Sequence, residues 1–368
     1  MAHAPDRRTG WRRDLLLEQA AAAPDASALF GAASARLRRL LPYDAAIWRA
    51  TDPVTGLMTA PIRVENLDEG GCAVYWTTEA RVDQVIPFRA LAGAASPVAA
   101  LGRATGGRPE HAPLYEAYLR PRGLGDELRA VLRTGGRQWG AVSLFRRQDR
   151  PAFSAADTEF VAGLSAPLAS RLRAYARPPD VPAEQPADGT GLLLFTPAGQ
   201  LVSANDSAWH HLADLPQVAV SGAAAHPDPA ARGLPVWVRT LAAAGEGRVR
   251  VRDGRGRWLV CHASRLDGDT GFTAVVVEPA PPSEVALLIA EAYGLSAREL
   301  EITRLVSAGV PTAEMAGRLG ISRHTVRDHI KAVFAKTGVA SRGELVATLF
   351  HEHLEPALEA RTERVRTD

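Results

Sequence analysis

Lysine is almost missing from this sequence. Of 43 Lys and Arg residues, only Lys331 and Lys336 are lysine, and neither follows a glycine. A Walker-type phosphate loop needs Gly-Lys-Ser/Thr and is therefore excluded. Lysine chemistry of the Schiff-base or kinase kind is excluded from residues 1–330. Cysteine is equally scarce. Cys72 and Cys261 stand far apart, which rules out a disulfide framework and a Cys-rich zinc site and fits a reducing cytoplasm. No run approaches the roughly 18 uncharged apolar residues of a membrane span; Ala90–Gly102 is short and is broken by Pro97. Arg7, Arg8, Arg12 and Arg13 precede Leu15–Leu17 in the manner of a secretory start, but Glu18, Gln19 and Asp25 interrupt the apolar run, so no leader is expected. A net charge of only +2 means that any nucleic-acid surface has to be a local patch. Catalytic signatures of the HExxH, GxSxG and paired-cysteine kinds are missing, and an enzyme is not expected.

The 368 residues, 46% apolar and 23% charged, suffice for two or three domains with a core in each. Two proline-rich seams, 177–188 (RPPDVPAEQPAD) and 279–283 (PAPPS), read as stiff linkers. They divide the chain into blocks at 14–176, 189–278 and 284–354, with a polar tail at 355–368. In the first block, Leu29, Leu37, Leu40 and Leu41 stand at helical spacing before Pro42, and strands are expected at Ala45–Arg49 and Leu57–Val64. Glu127–Leu132 and Trp139–Phe145 flank Gly135-Gly136 as a hairpin. A helix starts at Ser154 with Leu164, Leu168 and Leu172 on one face. The run WGAVSLFR followed by FSAADTEFVAGLSAPLASRL resembles the closing strands and final helix of a GAF domain, which implies a GAF-like α/β sensor over 14–176.

The second block opens with strands at Leu192–Phe195 and Leu201–Ser203, then a helix capped by Asn205 or Asp206. Three more strands are expected at Arg248–Arg252, Trp258–Ala263 and Phe272–Val277. Two strands, helices and three strands, with an Asn after the second strand, are similar to a PAS domain, implying a PAS-like α/β sensor over 189–278. His210 and His211 are adjacent on a helix and face about 100° apart, so at most one points inward, and a packed or exposed histidine is expected before a haem ligand. Cys72 and Cys261 show no metal spacing. Trp48, Trp76, Trp139 and Trp258 read as core or pocket-wall residues.

The third block reads as helices throughout. Ser296-Ala297-Arg298-Glu299 is a capping box, and Gly309 ends the helix it opens. Pro311 leads into a short helix, Ala313–Leu319; Gly320 breaks the chain; and Ser322 caps a longer helix, Arg323–Thr337. Gly338 closes that helix, and a fourth is expected over Ser341–Leu354. At 100° per residue, Val326, Ile330, Val333 and Phe334 share one side of the longer helix, while His324, Asp328 and Lys331 lie opposite with Thr325 and Arg327 on the flanks. A short helix, a glycine turn and a longer helix with a cationic outer face make the helix-turn-helix pattern.

The run LSARELEITRLVSAGVPTAEMAGRLGISRHTVRDHIKAVFAKTGVASRGELV strongly resembles the LuxR-type (NarL-type) DNA-binding domain. The resemblance implies base reading at Arg327, Asp328 and Lys331, phosphate contacts near Ser322, His324, Thr325 and Lys336, and subunit pairing through Val346, Leu349 and Phe350. Asp328 stands where that family often has Val or Asn, and Pro311 where a Ser or Thr cap is usual. The whole chain is expected to be multidomain α+β: a GAF-like sensor, a PAS-like sensor and an all-α tetrahelical helix-turn-helix. It is expected to act as a cytoplasmic transcription regulator that binds double-stranded DNA as a homodimer, with RNA polymerase as a candidate partner, no membrane contact and no evident cofactor. The alternative is a sensory adaptor that acts through protein contacts without specific DNA binding.

Overall fold

In a computed structural model, the structure describes residues 13–18, 20, 22–67, 75, 79, 84–177, 189–216, 219–221, 234–266, 271–281, 284, 288, 291–346 and 348. The seam at 178–188, the tail at 355–368, Cys72 and Trp76 lie outside these residues. The chain divides into two compact units. One comprises Met1–Leu172 with Asp188–Pro279, and the other Arg173–Ala187 with Ala280–Asp368.

The first unit is built on two sheets. Helix α1 (Ala26–Leu40) is capped by Asp25, whose carboxylate accepts from Ala28 N at 2.8 Å, and it buries Leu29, Phe30, Ala33 and Leu37. Strands β1 (Ala45–Thr51) and β2 (Met58–Glu65) pair antiparallel, close to the expected spans. β1 is buried at every position because it lies mid-sheet with both faces covered. A helix, α2 (Phe88–Gly93), and a short edge strand, β3 (Val98–Ala100), come next; neither carries a clear apolar period. Strands β4 (Leu124–Thr134) and β5 (Arg137–Arg147) form the expected hairpin. Its turn residues Gly135 and Gly136 sit at φ +60° and +75°, a geometry that two-residue hairpin turns require and side chains resist. The long helix α3 (Ala155–Tyr175) starts on a reciprocal cap: Ser154 Oγ accepts from Asp157 N, and Asp157 Oδ2 accepts from Ser154 N. Leu164, Leu168 and Leu172 are buried, as the spacing requires.

The second sheet follows the second block. Strands β6 (Gly191–Phe195) and β7 (Leu201–Ala204) lead to helix α4 (Asp206–Ala213). Asn205 is the cap. Its side-chain oxygen accepts from Ala208 N and Leu192 N, and its nitrogen donates to Thr190 O, so one amide ties helix to strand. A short strand, β8 (Ala219–Ser221), and helix α5 (Val236–Ala244) precede a meander of β9 (Glu246–Arg252), β10 (Trp258–Arg265) and β11 (Thr273–Pro279).

The strand orders are β3-β4-β5-β1-β2-β8 and β7-β6-β11-β10-β9. Set aside β8, and number the five strands of each sheet along the chain. Both sheets then have the order 2-1-5-4-3 with every neighbour antiparallel. The two blocks thus share one topology although their sequences show no repeat.

They also share a core. Met58, Ile62 and Val64 of the first sheet belong to the same buried cluster as Trp237, Leu241, Val249 and Val251 of the second block. β8 leaves its own block and pairs in parallel with β2, so that the exposed edge of the first sheet is covered. Asp52 and Arg250 link the two blocks in the interior, at 1% and 8% exposure. Asp52 Oδ2 accepts from Arg250 N at 2.8 Å and from its Nη1 at 2.9 Å, while Oδ1 accepts from Val54 N and Thr55 N. Removing one partner of such a pair leaves a buried charge uncompensated. Asp52→Ala is expected to lower the unfolding free energy by about 3–5 kcal/mol, read from the urea midpoint of the full chain.

The second unit is helical where it is described. It consists of α6 (Ala297–Ser307), α7 (Thr312–Leu319), α8 (Arg323–Thr337) and α9 (Arg342–Val346) after the turn at 293–296.

Candidate nucleic-acid interface

Each helix of the second unit begins and ends where its local chemistry dictates. Ser296 Oγ accepts from Glu299 N, and the Glu299 carboxylate accepts from Ser296 N, completing the capping box that opens α6. α7 starts at Thr312 after Pro311, which caps by backbone conformation alone, without a side-chain bond. The missing Ser/Thr cap leaves the helix start intact, and Thr312 Oγ1 is instead held by Arg342 Nη2 of α9 at 2.7 Å. Gly320 takes the left-handed conformation (φ +63°) that turns the chain from α7 toward α8. Ser322 then caps α8 by accepting from Thr325 N at 3.1 Å, and its hydroxyl also lies 2.9 Å from Thr325 Oγ1.

Helix α8 is amphipathic in the expected sense. Val326, Ile330 and Val333 are buried together with Thr337, which the apolar pattern did not single out. Phe334 is only half-buried. Helices α6 and α7 pack on this side. Arg327, Asp328 and Lys331 are all exposed, as are Ser322 and His324, and Thr325 is half-buried. At about 100° per residue, His324, Arg327, Asp328 and Lys331 fall within one sector of roughly a quarter turn.

Within that sector Asp328 is not paired with Arg327 or Lys331. Its Oδ2 lies 2.8 Å from Nδ1 of His324, one turn earlier, and both side chains are largely exposed. The pair leaves the second carboxylate oxygen available to an outside donor, and the two cations to either side unencumbered by it.

Lys336 is placed differently from the rest. It lies about 140° around the helix from Lys331 at helical spacing. Its Nζ donates to Glu299 Oε2 at 2.6 Å and to Gly294 O at 3.2 Å. It joins the end of α8 to the start of α6, an internal duty that sequence spacing does not reveal because the partners are 37 and 42 positions away. Burial opposes ionisation of Glu299, but the Lys336 and Ser296 hydrogen bonds outweigh it and hold the carboxyl below its ordinary value. Of the proposed pairing residues, Leu345 beside them is fully buried and Val346 half-buried, while Leu349 and Phe350 lie outside the described residues.

Elsewhere the sequence candidates have ordinary roles. His211 is buried with Nε2 3.0 Å from Gly189 O, and His210 is exposed. Cys261 is buried, and desolvation pushes its thiol far above the usual range, leaving it unreactive. Among the described residues, no three His, Cys, Asp or Glu side chains converge as a metal site, and no helix is long and apolar enough to cross a membrane.

Comparison with known proteins bears on this same helical region. Residues 294–349 match the family model of bacterial regulatory proteins, luxR family. The segment that holds the site is thus a luxR-family domain. Response regulator RamR of Streptomyces coelicolor is 40% identical over 62 residues, 17% of this chain and 31% of that protein. The probable transcriptional regulatory protein SgaR of Hyphomicrobium methylovorum is 42% identical over 53 residues, 14% of this chain and 25% of that protein. The chain therefore spans less than a third of the length of these curated relatives. The crystal structure of Escherichia coli SdiA aligns over 92% of this chain and 95% of its own at 16% identity, with a TM-score of 0.35, too slight a likeness to carry the fold.

The Glu299 geometry sets a pH dependence. A carboxyl whose folded-state value is lowered stabilises fully above its ordinary value, and that contribution is lost as pH falls through the folded value. The gap in melting midpoint between the parent chain and Glu299→Gln is expected to be largest near pH 6 and to narrow steadily toward about pH 3, as followed by circular dichroism.

Proposed function

We propose that the protein is a sequence-specific DNA-binding transcription regulator in which the two-sheet unit senses a signal and the luxR-family domain contacts the duplex. The observation that carries this reading is the exposed sector of α8. A helix capped by Ser322 presents Arg327, Lys331 and the His324–Asp328 pair on one side, while its other side is buried in the domain. The major groove admits a helix of this width. Arg327 and Lys331 suit guanine edges or phosphates, the free oxygen of Asp328 suits a cytosine amino group, and the Ser322 and Thr325 hydroxyls at the helix start suit phosphate oxygens. Lys336, already held by Glu299, contributes by fixing the helix and not by direct contact.

The shared strand order supports a GAF-like reading for the first sheet and a PAS-like reading for the second, since each has a hairpin, helices and then three strands. One recognition helix offers few contacts, so a homodimer on two half-sites is proposed, with a signal in the sensor unit altering the spacing of the paired helices. Action in the cytoplasm and contact with RNA polymerase belong to the same proposal. Nothing in the fold or the matched family suggests turnover.

Genomic fragments selected on the full chain provide the operator for the test, and fluorescence anisotropy measures affinity against salt. Lys331→Ala and Arg327→Ala are each expected to weaken operator binding by about 1–3 kcal/mol with the melting midpoint unchanged. A contact made to phosphate also lowers the salt slope by about 1, whereas one made to a base relaxes preference at that position. Unchanged affinity in both variants refutes the assigned face. A chain that selects no fragment and shows no salt slope is an adaptor working through protein contacts.

A further inference from the structure

A cleft of about 560 Å³ lies between the two blocks of the first unit, walled by the β1–β2 loop, α2 and the β4–β5 turn on one side and by α5 and β9 on the other. It is distinct from the interior of the first sheet's block, which is filled by the edge-to-face rings of Tyr75, Tyr118 and Phe145. Its volume is that of a typical small-molecule site. Much of its wall is apolar, including Leu57, Phe88 and Leu241.

Two polar groups in the wall decide what it suits. Trp237 is 1% exposed and Gln138 is 7% exposed, and both line the cleft. The indole N–H of Trp237 and the amide nitrogen of Gln138 lie just beneath the cleft surface with no hydrogen-bond partner among the described residues, so an occupant meets them through a small side-chain rotation. A buried donor left unmatched costs about 1–3 kcal/mol, so two of them in one cleft mark a place where an acceptor belongs. Both are donors. The guanidinium of Arg49, stacked 3.9 Å from the centre of the Phe88 ring, adds positive charge to the same wall. Among the described residues of the wall, three arginines (Arg49, Arg89 and Arg137) face one carboxylate, Glu79, which is already bound to Arg129 at 2.7 Å. Thr55, Thr240 and the amide oxygens of Gln84 and Gln138 can accept from an occupant, but the excess of guanidinium groups favours an organic acid or carbonyl compound over an amine.

We propose that this cleft binds a small, mainly apolar molecule bearing a carboxylate or carbonyl oxygen, held by Trp237 and Gln138. Its position suggests its effect. The loop that forms one wall follows directly on Asp52, and Val249 in the opposite wall precedes Arg250, so an occupant adds contacts across the junction that the Asp52–Arg250 pair already holds. Occupancy therefore tightens one block against the other. Any consequence for DNA binding rests on the sensor reading given above; binding itself does not.

The test uses the full chain without DNA. The probes are 8-anilinonaphthalene-1-sulfonate, which is apolar with an anionic acceptor group, decanoate as competitor and decylamine as the control of opposite charge. Saturable binding of one dye per chain is expected, displaced by decanoate and not by decylamine. Gln138→Met, which removes the donor with little change of shape, and Trp237→Phe, which removes the N–H along with one ring of the indole, are each expected to weaken decanoate binding by about five- to tenfold, the equivalent of one neutral hydrogen bond. Ala244→Trp, which fills the cleft from α5, is expected to abolish binding. If that variant melts well below the parent, the two donor variants decide alone. Non-saturating dye uptake, equal displacement by decylamine, or parental affinity in both donor variants overturns the proposal. Retained operator binding in any of these cases leaves the proposed function standing.

Discussion

The burial of one stripe of α8 constrains everything that the helical unit presents to the outside. Val326, Ile330 and Val333 cannot face water without losing about 1.5–3 kcal/mol each in side-chain transfer, and α6 and α7 supply the cover. Once that stripe is fixed, the helix has no rotational freedom left, and Arg327, Asp328 and Lys331 are obliged to point outward together. The caps then set the length of the helix: Ser322 at one end, Gly338 in the left-handed region at the other. Lys336 reinforces the orientation by reaching back to the capping box of α6, so that the carboxylate which starts one helix also positions the end of another. Function at this surface is a by-product of packing on the opposite one.

The two-sheet unit is organised by a different constraint. Two antiparallel sheets of identical strand order sit side by side, and the seam between them is part of the core. Asp52 makes that arrangement specific. Its four hydrogen bonds, two to the following turn and two to Arg250, are satisfied only when loop and strand meet in one register. The β2–β8 pairing acts in the same sense by exchanging an edge strand between blocks.

The parts of this fold that could be read in the sequence are those set by short-range rules. The hairpin around Gly135-Gly136, the Asn205 cap, the capping box at Ser296 and the bounds of Arg323–Thr337 all follow from residues within a few positions of one another. Phe88–Gly93 and Val98–Ala100 escaped notice because neither is long enough to show a period. The joining of the first two blocks was hidden for another reason. Asp52 and Arg250 are 198 positions apart, and each looks like an ordinary surface charge until its partner is known. Trp237 likewise reads as one more apolar residue in VWVRTLAAA, and only the three-dimensional structure shows its N–H facing no acceptor. On the outer side of α8, helical spacing identified the exposed sector, but it could not anticipate that Asp328 would turn to His324 or that Lys336 would serve the interior.

The seam shared by the two sheets also bears on how this chain tolerates being divided. The proline-rich stretch at 178–188 looks like the natural place to cut, yet a fragment ending there keeps Met58, Ile62 and Val64 while losing the residues that cover them, and it leaves the outer edge of β2 without its parallel neighbour. A bare strand edge beside an uncovered apolar face is a template for self-association. Insolubility of such a fragment would report the anatomy of the seam and not the role of either block.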